Sequence, residues 1–165
     1  MSRISIYLRR GALGGAALAV AAGIAFSAGA QSPAPNAGRQ AIETRKAVLT
    51  LIGANFRPLG DILKGAAPYD AADTQKRLAR LALLSDYLKE GFPDSSNLGD
   101  PETKAKAEIW GNRADFDKKL NDFQSHVAAL VQVNATDKSA SDAFKTAVGA
   151  VAQDCKGCHE TYRAK

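Results

Sequence analysis

Five residues near the end of the sequence can do chemistry together. Cys155-Lys156-Gly157-Cys158-His159 sets two thiols three residues apart and an imidazole directly after the second. On a helix, positions i, i+3 and i+4 lie on one side, so the three groups converge on a single strip. Two thiols can add to the two vinyl groups of a haem while the adjacent imidazole meets the iron, the arrangement of covalent c-type haem attachment. Two other chemistries use parts of the set. A thiol–disulfide exchange pair shares the Cys-x-x-Cys spacing but normally opens a helix after a strand, where the N-terminus lowers a thiol pKa. Here the pair falls near a helix C-terminus, where the macrodipole has the wrong sign for a thiolate. A structural zinc wants four ligands, and His126 is the only other histidine.

With a haem on His159, the other face of the iron becomes the question. An electron-carrying c-type haem takes a methionine sulfur or a second histidine there. The only methionine is Met1, inside a segment read below as removed. His126 falls on the shoulder of its helical stripe and reads as a partly exposed surface histidine. Leu49 sits centrally on an apolar stripe, with Arg45 one turn earlier on nearly the same side. We expect Leu49 to face the iron, its other reading being plain core packing. Arg45 needs an anion, which a haem propionate at the pocket edge would supply; its other reading is a seam-edge arginine snorkelling to water. An apolar ceiling without a sulfur ligand implies a five-coordinate iron whose sixth site takes a small neutral gas.

These residues must be positioned by helices, because apolar residues recur at steps of 3, 4 and 7 throughout. The first helix is expected from about 40 to 64, with Ile42, Leu49, Ile52, Phe56, Leu59 and Leu63 inward, a local kink at Pro58, and a stop at Gly65 and Pro68. Asp70 is the expected N-cap of a second helix to about Glu90, with Leu78, Leu81, Leu84 and Leu88 inward. Residues 94–100 read as a surface loop. A third helix, from about Pro101 or Asn112 to Val133, carries Phe116, Leu120, Phe123, Val127 and Leu130. A fourth, from about Ser139, carries Phe144, Val148, Val151, Cys155, Cys158 and Tyr162. Four such helices with short connections predict an all-α, antiparallel four-helix bundle.

The sequence has 165 residues. Residues 1–30 follow the basic, apolar, small-residue order of a secretory signal peptide, with cleavage expected after Ala30. The uncharged run is about 15 residues, short for a membrane span of about 20. Residues 31–38 read as a flexible leader and 39–165 as the haem-binding domain, placed in an oxidising compartment, which in a bacterium is the periplasm. Without Arg3, Arg9 and Arg10 the 22 basic residues become 19 against 17 acidic ones. That balance of +2 argues against a nucleic-acid partner, and no membrane contact is expected after cleavage. No acid–base pair or nucleophile suggests an enzyme.

The chain resembles the cytochrome c′ family, four-helix c-type cytochromes with the haem motif near the C-terminus. The likeness rests on Thr44-Arg45-Lys46-Ala47-Val48-Leu49-Thr50, on Lys64-Gly65-Ala66-Ala67-Pro68-Tyr69-Asp70, on Glu108-Ile109-Trp110 and on Cys155-Lys156-Gly157-Cys158-His159-Glu160-Thr161-Tyr162-Arg163. It implies one covalent haem c, a high-spin five-coordinate iron and an apolar distal residue, which matches onto Leu49. It also implies a basic residue beside the proximal histidine, which matches onto Arg163, four residues beyond His159. Family members often carry Tyr-Arg-Gln where this chain has Thr44-Arg45-Lys46, so Lys46 would replace a propionate hydrogen bond by charge. The resemblance further implies binding of NO or CO, single-electron exchange with a redox partner protein, and a homodimer joined through the first two helices. The alternative is a low-spin electron carrier of the same class with a second axial ligand.

Overall fold

The structure is a computed structural model that describes residues 37–99 and 103–165; the expected signal peptide and most of the leader lie outside them. Four long helices form the bundle: α1 (Ala37–Leu63), α2 (Ala71–Tyr87), α4 (Arg113–Thr136) and α5 (Asp142–Tyr162). A one-turn helix, α3 (Glu108–Gly111), and two short 3₁₀ turns, Leu88–Gly91 and Asp94–Ser96, fill the connection between α2 and α4. Around the bundle α1 packs on α2, α2 on α4, α4 on α5, and α5 returns to α1. Among the described residues no helix is long and apolar enough to cross a membrane.

Local chemistry sets the helix limits. α1 ends where Gly65 takes φ 71°, with Ala66 N–H donating to Asp61 O at 2.8 Å and Gly65 N–H to Ile62 O at 3.0 Å. That pair of bonds is a Schellman motif, and the positive φ suits a glycine. Asp70 caps α2 as expected, its carboxylate accepting from the Asp73 N–H at 2.7 Å. Ser141 caps α5 through the Phe144 N–H at 3.2 Å, two residues beyond the expected start. Pro58 lies within an unbroken α1. Its missing N–H leaves the Ala54 carbonyl without its intrahelical donor, and Arg77 of α2 supplies one instead at 3.4 Å.

The core follows the expected stripes, with two corrections. On α4 the five predicted residues Phe116, Leu120, Phe123, Val127 and Leu130 are all buried. On α1 the buried line is Ile42, Arg45, Val48, Ile52, Asn55, Leu59 and Ile62, so its phase lies one residue from the predicted one at three places. Leu49 is therefore not a core residue: it is 39% exposed, because Val48 takes the inward position at a 3.6-residue period. The second correction concerns residues 94–100. Ser96 is buried there and takes part in the arginine cluster described below.

The two ends of the bundle differ. At one end Leu59, Leu78, Leu130, Phe144 and Val148 close the interior, and the Tyr69 ring meets Phe144 edge-on at 5.4 Å. Its hydroxyl donates to the buried Asn134 Oδ1 at 2.7 Å. At the other end the interior opens, and Thr50 and Gly53 of α1 and Cys155 and Cys158 of α5 are among the residues that line the space.

Candidate functional site

The opening is a cavity of about 660 Å³, the size of a pocket for a substantial organic ligand. The motif of α5 supplies one wall through Cys155, Cys158 and His159; α1 supplies the opposite wall through Leu49, Ile52, Gly53 and Phe56; and Phe116, Leu120 and Phe123 of α4 supply apolar backing. Thus the α-helical spacing of the motif does bring two thiols and an imidazole to one apolar chamber, and Leu49 faces the same chamber.

Cys155 and Cys158 are unlinked and partly buried. Burial, assisted by the Asp154 carboxylate, pushes the Cys155 thiol up to about 11 from an ordinary 9.0, and burial raises Cys158 as well. Both are neutral thiols at neutral pH, whereas disulfide exchange needs a thiolate. Burial first, and then the charge of Arg163, lower the His159 pKa, which keeps its imidazole in the neutral form that binds a metal. His159 sits at the exposed edge of the cavity, not in the bundle interior. Among the described residues no group of three or more His, Cys, Asp or Glu side chains comes together to hold a metal ion, which leaves the zinc reading without a ligand set. Two adjacent neutral thiols and an imidazole, opening on a large hydrocarbon-walled chamber rimmed by cations, fit a covalently attached haem.

Arg45 lines this chamber but is 2% exposed, so it does not snorkel to water. Its guanidinium donates to Ser96 Oγ at 2.8 Å, to Thr103 Oγ1 at 2.9 Å and, more weakly, to Gly91 O at 3.5 Å. It lies against the rings of Phe92 and Trp110, 5.1 and 5.6 Å from their centroids. Neutral oxygens and aromatic faces thus stabilise this cation, and burial lowers its pKa. The close fit needs Gly91: a Cβ there would stand 2.8 Å from that of Arg45. Trp110 is a packing residue, and its indole N–H donates to Pro93 O at 3.2 Å. Lys46 also lines the cavity, exposed and paired with Glu43 at 3.2 Å.

Arg163 reaches the cavity by a different route from the one its spacing suggested. It does not share a helix face with His159, because α5 ends at Tyr162 and Arg163 is extended, with φ −111° and ψ 128°. It pairs as an isolated antiparallel bridge with Ala105, and its own N–H donates to His159 O at 3.2 Å. His126 is on the surface, as expected, but its Nδ1 lies 2.7 Å from Asp154 Oδ2, a pairing that spacing alone did not indicate. Tyr162 is buried on the same wall, donating to Asp115 Oδ2 at 2.6 Å, and burial with that bond pushes its pKa up to about 12.

Comparison with known proteins finds relatives over nearly the whole bundle. A family model described as cytochrome C′ matches residues 40–163. Cytochrome c′ of Alcaligenes xylosoxydans xylosoxydans is 34% identical over 125 residues, covering 76% of this chain and 94% of that protein. The solved cytochrome c prime from Shewanella frigidimarina superposes with a TM-score of 0.69 at 42% identity, covering 78% of this chain and 97% of that one. A ferrous variant of the Alcaligenes xylosoxidans protein, solved with bound NO, superposes with a TM-score of 0.69 at 30% identity, covering 78% and 96%; another variant of it was solved with carbon monoxide. The chain belongs to the cytochrome c′ family of four-helix haem c proteins.

Proposed function

We propose that this chain is an exported haem c protein whose iron is held from one side by His159, binds NO or CO on the other, and exchanges single electrons. Cys155 and Cys158 would carry the two thioether links. What haem c supplies when bound is an iron centre that takes up diatomic gases and changes by one electron. The protein's part is to hold that group in a dry chamber, to present one neutral imidazole to it, and to keep other donors away. The observation that carries the reading is the cavity lining among the described residues. It contains a single imidazole, that of His159, while His126 is turned to Asp154 on the surface. No thioether is available, since the only methionine is Met1. Leu49 and Phe56 present hydrocarbon instead, which favours a small neutral ligand over a charged one.

Arg45 holds the cavity edge in place, and Arg45, Lys46 and Arg163 provide the cations for the acidic side chains that a haem carries. The NO and CO complexes of solved relatives support gas binding. The order of residues 1–30 supports export to the periplasm, with the mature domain starting near residue 39. Exposed Leu51, Leu83 and Tyr87 on the neighbouring helices α1 and α2 support a homodimer formed through those helices. The low-spin alternative would need an axial donor that the cavity wall does not offer.

A carbon monoxide difference spectrum of the matured protein tests the reading. We expect a high-spin reduced spectrum that shifts on adding CO, and a sharp low-spin α-band indifferent to CO would overturn it. Leu49→Met places a sulfur on the opposite wall and should move the spectrum toward low spin.

A further inference from the structure

The cavity end carries a group of cations that the bundle leaves unmatched. Residues 103–106 lie against the end of α5: Lys106 N–H donates to Tyr162 O at 3.0 Å, and Ala164 N–H to Lys104 O at 2.8 Å, on either side of the Ala105–Arg163 bridge. This pairing gathers Lys104, Lys106, Arg163 and Lys165 beside His159. Elsewhere on the rim Lys46, Lys119 and Lys156 have acidic neighbours, Glu43, Asp115 and Glu160, while Arg57 stands singly without one. Lys106, Arg163 and the Lys165 side chain have no carboxylate at ion-pair distance among the described residues. Lys106 meets the main-chain oxygen of Thr161 at 3.0 Å, and Lys104 meets that of the last residue, Lys165, at 2.7 Å, which as a chain-end oxygen is part of a carboxylate. A helix C-terminus supplies only about half a negative charge, so with that carboxylate the four cations are still not balanced. Acidic residues are not scarce in the sequence, at 17, so the excess is local.

We infer that this cluster is the face on which an acidic protein docks to pass an electron to or from the adjacent site. The inference rests on the function proposed above. A broad acidic surface suits the cluster better than a small oxyanion does, because the four side chains are spread over two segments and reach into water, with no buried cation among them. Complementary charge of this kind acts chiefly on encounter rate and orientation. In the step itself one electron leaves the donor protein and ferric iron becomes ferrous, with no bond made or broken.

The test uses the haem-loaded protein with a reduced plant-type [2Fe–2S] ferredoxin as an acidic one-electron donor. Binding is read by calorimetry at low salt and electron transfer by stopped flow. Lys106→Glu with Lys165→Glu, both outside the cavity wall, should weaken binding and slow reduction by about tenfold or more. Lys76→Glu with Lys138→Glu, the same charge change at the closed end, should alter either by less than about twofold. Lys106→Gln with Lys165→Gln guards against a loosened fold and should give an intermediate loss with an unchanged absorption spectrum. Equal effects of the two charge-reversed pairs, or no ferredoxin binding by the unaltered protein, would overturn the docking face. So would dithionite, a small anionic reductant, being slowed as much as ferredoxin, which would mark a small-anion site. A protein without a haem spectrum would overturn the function instead, and calorimetry on the same pairs would still judge the face.

Discussion

The two ends of the bundle use the same helices for opposite purposes. At the closed end, Leu59, Leu130, Phe144 and Val148 leave no exposed surface, and each contributes stability through apolar burial. At the open end the same two helices line a space, Thr50 and Gly53 beside Leu49, Ile52 and Phe56 on α1 and Cys155 and Cys158 on α5. The backbone is helical at both ends, so the difference lies in the side chains. The open end is not loosely built: Phe92, Phe116 and Tyr162 form a buried edge-to-face cluster next to the space.

The sharpest way to break that division is to alter one residue set at each end. Cys155→Ala with Cys158→Ala should abolish covalent haem, read as loss of haem staining on a denaturing gel. Phe144→Ala should keep the stain while costing about 3–5 kcal/mol in denaturant unfolding; haem loss in that variant would show that the ends are not separable. Arg45→Leu comes next, since it strips partners from Ser96 and Thr103 and should cost about 2 kcal/mol, with faster amide exchange in residues 88–106. Leu49→Ala should cost under about 1 kcal/mol, because Leu49 is 39% exposed, yet speed CO binding measured by flash photolysis. A separate effect is on pH dependence. The folded Cys155 thiol ionises at about 11 against an ordinary 9.0, so the unfolded chain gives up that proton first and the haem-free protein loses stability as pH rises between those values. Thermal melts of the haem-free protein should show this slope, and Cys155→Ala should reduce it.

Much of the fold was legible in the sequence because helical periodicity and end signals are local. The α4 stripe, the Asp70 cap and the Gly65 stop each depend on residues within a few positions of one another. The convergence of Cys155, Cys158 and His159 was legible for the same reason. What escaped depends on distant partners. Arg45 finds its oxygens 46 to 58 residues away, one of them, that of Ser96, in a stretch that looked like plain surface loop. Arg163 leaves the helix and pairs with Ala105, far earlier in the chain, and Asp154 of α5 meets His126 of α4. Leu49 was placed on the buried stripe that Val48 occupies, since Val48 and Leu49 are equally apolar and only packing distinguishes them.

One short segment touches both walls of the chamber. Thr103 accepts from Arg45 on the α1 side, and two residues later Ala105 is bridged to Arg163 on the α5 side. The segment therefore works as a tie rod: within three residues it holds Arg45 of α1 at one end and the extended backbone that follows α5 at the other.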